Sequence, residues 1–123
     1  MTQTAFTRLI LEHISIGATL QNPGKGTSQI KRFDTEKVVY QRGNSEITLK
    51  IEKIYKAYEA FQGKFVTTTD LKKFDNSFDS SARKPSGHSC NCTFGFMLLV
   101  KAGLAQEIIK QGRTFGTTFM TPR

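Results

Sequence analysis

The apolar residues of this chain change period at Ile51, and that change divides it. Before it, Val38 and Tyr40, and then Ile47, Leu49 and Ile51, fall on alternate positions, the repeat of a strand with one buried face. From Ile51 on, Ile51, Ile54, Tyr55, Tyr58 and Phe61 fall three or four apart, which sets them on one side of a helix. A chain that is extended first and helical afterwards reads as α+β.

Three strand-like runs, residues 28–33, 37–42 and 45–51, are joined by Asp34-Thr35-Glu36 and by Gly43-Asn44. Turn residues between alternating runs predict an antiparallel meander. In it Val38 and Tyr40 share one face, and Ile47, Leu49 and Ile51 another. Residues 17–21 offer a further strand, and the loop Asn22-Pro23-Gly24-Lys25-Gly26 follows them. Ahead of the sheet, Phe6, Leu9, Ile10 and Ile14 are spaced for a short helix over residues 4–14.

The helix opened by Ile51 stops at Gly63, and Lys64-Phe65-Val66 is short and extended. Thr67 is placed to cap a second helix, with Asp70 as its capping-box partner, and this helix runs to Phe74. Residues 75–87 are polar and rich in turn formers, hence a loop. A third helix is expected over residues 89–102, closed by Gly103. Residues 106–110 and 114–119 then form a hairpin around Gln111-Gly112-Arg113. The chain divides into residues 1–50, a small helix and sheet, and residues 51–123, a helical part, the two sharing one compact unit.

The formal charge is +8 and the pI about 9.7. Nine basic residues face six acidic ones in residues 1–60, and nine face four in residues 61–123. A basic excess spread along a folded chain favours a polyanionic partner. No apolar run reaches membrane-spanning length, so a membrane partner is not expected. The first residues lack a basic stretch followed by an apolar one, so no secretory leader is expected. Cys90 and Cys92 are separated by one residue and cannot easily form an unstrained disulfide. A reducing, cytoplasmic setting fits that cysteine usage.

From residue 51 the order is helix, short strand, helix, helix, hairpin. Leu99 is followed by Val100-Lys101-Ala102, then Gly103-Leu104, then a hairpin carrying Lys110 and Arg113. This pattern, over about 70 residues, resembles the winged helix-turn-helix family of DNA-binding domains. The resemblance implies a three-helix winged-helix-like unit following the N-terminal antiparallel sheet. It makes the third helix the recognition helix, with Cys92, Phe96 and Leu99 inward and Ser89, Asn91 and Thr93 toward the major groove. Arg113 would sit on the wing.

The segment Arg83-Lys84-Pro85-Ser86-Gly87-His88-Ser89-Cys90-Asn91-Cys92-Thr93 gathers cations, hydroxyls, an amide and an imidazole at a helix start. Helix N-termini bind anions through free N–H groups, so this segment is the leading candidate site. The bland reading of the same residues is a polar loop, a helix cap and packed thiols. Phe94, Met97 and Leu98 make the third helix apolar nearly all round, the pattern of a buried helix; exposed, Phe94 and Met97 would instead mark a partner surface. In the sheet, Arg32, Arg42, Lys31, Lys37 and Lys50 are interleaved with Phe33 and Tyr40, which suits phosphate contact with base stacking. Lys72 and Lys73 add cations to the second helix.

Catalytic constellations are sparse. His88, Cys90 and Cys92 supply three soft ligands where structural zinc takes four. A cysteine activated by His88, or a carboxylate site of Asp70, Asp75 and Asp79 beside Lys72 and Lys73, lacks a converging set. The sequence expectation is a non-catalytic nucleic-acid-binding protein without metal or cofactor, DNA ahead of RNA. The alternative is a protein–protein module that inhibits or assists a nucleic-acid-processing machine.

Overall fold

The computed structural model describes residues 1–78 and 90–122. The first helix, α1 (Gln3–Glu12), begins where the Thr2 hydroxyl accepts a hydrogen bond from the Ala5 N–H at 3.1 Å. It buries Phe6, Thr7 and Ile10. It ends two residues short of the expected Ile14, which is still buried just beyond it.

Strands β1 (Thr19–Gln21), β2 (Thr27–Phe33), β3 (Lys37–Arg42) and β4 (Ser45–Lys50) form an antiparallel sheet in sequence order. Asp34 builds the β2–β3 turn, its carboxylate accepting from the N–H groups of Glu36 at 2.8 Å and Lys37 at 3.0 Å. The register sets Val38 opposite Leu49 and Tyr40 opposite Ile47. Directly opposed residues point to the same side of a sheet. The two sets expected on separate faces therefore form one apolar face, and that face meets the helices.

Helix α2 (Ile51–Ala60) follows β4 without a break, the Ile51 N–H donating to the Glu36 carbonyl at 2.9 Å. Its buried residues are Ile51, Ile54, Ala57 and Tyr58, the stripe that the spacing predicts. After β5 (Phe65–Thr67), α3 (Thr68–Phe74) opens on the expected capping box: Thr67 accepts from the Asp70 N–H, and the Asp70 carboxylate accepts from the Thr67 N–H. A 3-10 turn over Asn76–Phe78 interrupts the expected loop and buries Phe78.

Helix α4 (Cys90–Lys101) ends on a double reverse bond. The Leu104 N–H donates to the Leu99 carbonyl at 2.8 Å and the Gly103 N–H to the Val100 carbonyl at 3.1 Å. The left-handed φ of +76° at Gly103 makes this closure possible. Strands β6 (Ile109–Gln111) and β7 (Thr114–Thr118) form the C-terminal hairpin. Its first arm is shorter than the expected residues 106–110, because regular pairing with β7 begins only at Ile109. The sheet order is β5-β7-β6, so the strand between α2 and α3 pairs with the second arm of the hairpin, which becomes the central strand.

The fold is α+β, with one apolar core reaching from α1 through both sheets. Helix α4 lies inside it. Phe94 is 1% exposed, Met97 7% and Leu98 1%. On one side Phe94 stacks on Tyr40 of β3, with ring centroids 3.7 Å apart. On the other Phe96 meets Phe119 edge-on, and the Cys92 thiol approaches the carbonyls of Thr68 and Phe78. The apolar pattern of α4 thus reflects burial between the N-terminal sheet and the C-terminal unit.

Candidate nucleic-acid interface

A cleft runs between the β1–β2 tip, the second half of α4 and the C-terminal hairpin, with a volume of about 1020 Å³. Its apolar lining comes from Leu20, Pro23, Met97, Val100, Ile108 and Phe115; Lys101 and Lys110 supply cations, and Glu107 a carboxylate.

Each wall is fixed by local chemistry. At the tip, buried Asn22 holds the loop: its N–H donates to the Gly26 carbonyl at 3.0 Å and its amide to the Lys25 carbonyl at 3.3 Å. The Ser28 hydroxyl donates to the Asn22 side-chain oxygen at 2.6 Å, and Gln21 donates to the Gly26 carbonyl at 2.9 Å. With its backbone tied, the loop presents the exposed Lys25 side chain to solvent. The hairpin wall is set by the two-residue turn Gly112-Arg113, where Gly112 takes a φ of +59°, as the first position of such turns requires. That register sets Lys110 opposite Phe115, so both project from the same face and both line the cleft. The Phe115 ring packs on Gly24, where an added Cβ would stand 3.3 Å from it.

The sequence-predicted site residues separate into groups. Lys110 lines the cleft, and Arg113 is exposed at the hairpin tip. Arg42 reaches the tip loop, its guanidinium 3.5 Å from the Lys25 carbonyl. Arg32 pairs with Glu46 at 3.2 Å on the exposed sheet. Lys72 and Lys73 occupy the last turn of α3, where cations complement the helix dipole. Arg83, Lys84, Ser86, His88 and Ser89 lie outside the described residues. Thr93 is half-buried.

Asn91 departs from its expected role. It is 6% exposed, accepts from the Tyr40 hydroxyl at 2.8 Å and donates to the Thr48 carbonyl at 3.4 Å. It faces the N-terminal sheet, so it is not presented to a base edge. Tyr40, expected to stack on bases, is itself fully buried against Phe94, and Phe33 packs on the core. Phe94 and Met97 form no exposed partner patch: Phe94 is covered by Tyr40 of the sheet, and Met97, 7% exposed, reaches the surface where it lines the cleft. Of the candidate nuclease cluster, Asp70 caps α3 and Asp75 pairs with Lys53 at 3.0 Å, while Asp79 lies outside the described residues.

Lys25, Lys101 and Phe115 were not singled out by the sequence as site residues. Phe115 carried a usable signal, an aromatic directly across a two-residue turn from a lysine. Lys101 and Lys25 carried none, because they meet Lys110 only through the fold. The sequence matches no protein-family model, and no curated protein or solved structure is similar to it at a significant level.

Proposed function

We propose that this chain is a non-catalytic, cytoplasmic nucleic-acid-binding protein that grips the phosphate backbone with its C-terminal hairpin and the tip of its N-terminal sheet. The observation that carries this reading is the placement of exposed lysines from two separate elements in one cleft, Lys101 on α4 and Lys110 on β6, with exposed Lys25 following the lining residue Gly24 on the tip loop. Lysines brought together from distant positions form a track for phosphates, whereas scattered ones only solvate a surface. Ion pairs among the described residues join Arg32 to Glu46, Lys53 to Asp75 and Lys56 to Glu52. They leave Lys25, Lys101, Lys110 and Arg113 without carboxylate partners within that set.

The winged-helix resemblance is supported by the element order from α2 to β7 and by the pairing of β5 with β7. It is narrowed by the burial of α4, whose face opposite α3 is covered by the N-terminal sheet. The reading therefore assigns affinity to the hairpin, the tip and Lys101 at the end of α4, and gives the start of that helix a structural role. DNA remains the partner proposed ahead of RNA, and no helix among the described residues is long and apolar enough to cross a membrane.

The test is an anisotropy titration of labelled duplex DNA, single-stranded DNA and RNA at two salt concentrations, with wild type and Lys110→Ala/Arg113→Ala. Wild type should bind at low salt, and affinity should fall steeply as salt rises. The double variant should lose roughly one to two units of the log–log salt slope. Salt-insensitive binding, or none at low salt, would overturn the proposal.

A further inference from the structure

Resting on the nucleic-acid reading above, we infer that the cleft between the β1–β2 tip and the C-terminal hairpin takes an unpaired, single-stranded segment, its bases against Phe115 and Met97 and its phosphates on Lys101, Lys110 and Lys25. The cleft joins two features that only a single strand uses together. Its floor is apolar, built from Leu20, Met97, Val100, Ile108 and Phe115. Its rim is cationic, with Lys101 and Lys110 lining it and Lys25 on the loop that forms its wall.

A duplex offers phosphates to such a rim but keeps its bases stacked inside, so the floor would gain nothing. A single strand exposes base faces, which stack on aromatic and apolar side chains without demanding a particular sequence. The charge of the rim selects an anionic chain over a neutral peptide. At about 1020 Å³, the cleft stands at the upper end of the roughly 300–1,000 Å³ typical of small-ligand sites, enough for more than one nucleotide. Glu107, on the segment leading into β6, is the carboxylate in the lining. It is placed to accept from exocyclic amino groups, as acidic side chains do with cytosine. The walls are pre-formed, because Asn22 and Ser28 lock the tip and Phe115 closes on Gly24, so little ordering is required on binding.

The experiment compares fluorescein-labelled oligothymidylate, oligouridylate and a blunt DNA duplex of matched length, by anisotropy at one low salt concentration. Single strands should bind more tightly than the duplex; the two single-stranded probes separate DNA from RNA. Phe115→Leu keeps an apolar contact for Gly24 but removes the aromatic face. It should weaken single-strand binding by about tenfold. Wild-type protein irradiated with 5-iodouracil-substituted oligothymidylate should crosslink within residues 97–101 or 108–115, which requires no variant to fold. Duplex binding equal to or tighter than single-strand binding, or crosslinks confined to other segments, would overturn this inference and leave backbone binding standing. Failure of every probe to bind would overturn both.

Discussion

Asn91 sits at the start of a helix, where sequence reasoning places base-reading side chains, yet its amide is consumed by Tyr40 and Thr48. Truncation would leave the buried Tyr40 hydroxyl without this acceptor, and a buried polar group stripped of a partner costs about 1–3 kcal/mol. Asn91→Ala should therefore lower unfolding free energy by about that amount in denaturant titration, with nucleic-acid affinity of the folded protein unchanged. An altered sequence preference in that variant would return the start of α4 to the binding site. Asp34 makes a second residue-scale prediction. The N–H groups of Glu36, and then of Lys37, hold its carboxyl below the usual carboxylate range. Because the folded pKa lies below the unfolded value of about 3.9, its contribution to stability is complete above that pH and is lost as pH falls through the folded value. An NMR titration of Asp34 should give a midpoint below that of an unstructured aspartate. Asp34→Asn should remove this component of the acid limb of the stability curve. A normal midpoint would contradict the turn geometry.

Elements were more legible than their surroundings. The period change at Ile51, the Thr67–Asp70 capping box, the Gly103 closure and the hairpin turn at Gly112 all depend on residues close in sequence, and they appear as expected. What could not be read was which face of α4 is covered, because that depends on a sheet some 50 positions earlier folding back to set Tyr40 on Phe94 and Leu49 beside Gly95. Phe78 lies in a polar stretch of sequence and is buried for the same reason, since α4 meets it at Cys92 and Gly95. Two glycine substitutions follow from this packing. At Gly95 an added Cβ meets Leu49 and Phe78 at ordinary contact distances of 3.6 and 3.8 Å. Gly95→Ala should raise stability by about 0.5–1 kcal/mol through the lower backbone entropy of the unfolded chain. At Gly116 the added atom would stand 2.9 Å from the Val66 carbonyl oxygen and 2.6 Å from the Phe65 ring. Backbone cannot yield there, so Gly116→Ala should lower stability by about 1–3 kcal/mol. Thermal melts of the two variants should move in opposite directions.

At the scale of the whole molecule, the N-terminal sheet both completes the core and sets one wall of the cleft. A chain cut to residues 51–123 would expose Phe94, on which Tyr40 of the sheet now stacks. That fragment should bind a hydrophobic dye and lack the near-ultraviolet dichroism of fixed aromatic rings, the signature of a loosely packed state; a sharp cooperative melt of the fragment would contradict the shared core. The same arrangement brings together lysines from β6, α4 and the tip loop, distant in sequence, which is why the candidate site was only partly visible beforehand. Lys110 and Arg113 were legible from the hairpin, whereas Lys25 and Lys101 enter only through the meeting of the two sheets. The central claim, that nucleic acid is held at the tip, the hairpin and the C-terminal end of α4, and not by the start of that helix, is tested most directly by following backbone amide signals of the labelled protein during titration with an oligonucleotide. The account predicts shifts concentrated in residues 22–26, 100–101 and 108–115, with the amides of residues 91–96 nearly still. Shifts centred on Asn91 and Thr93, or none anywhere, would contradict it.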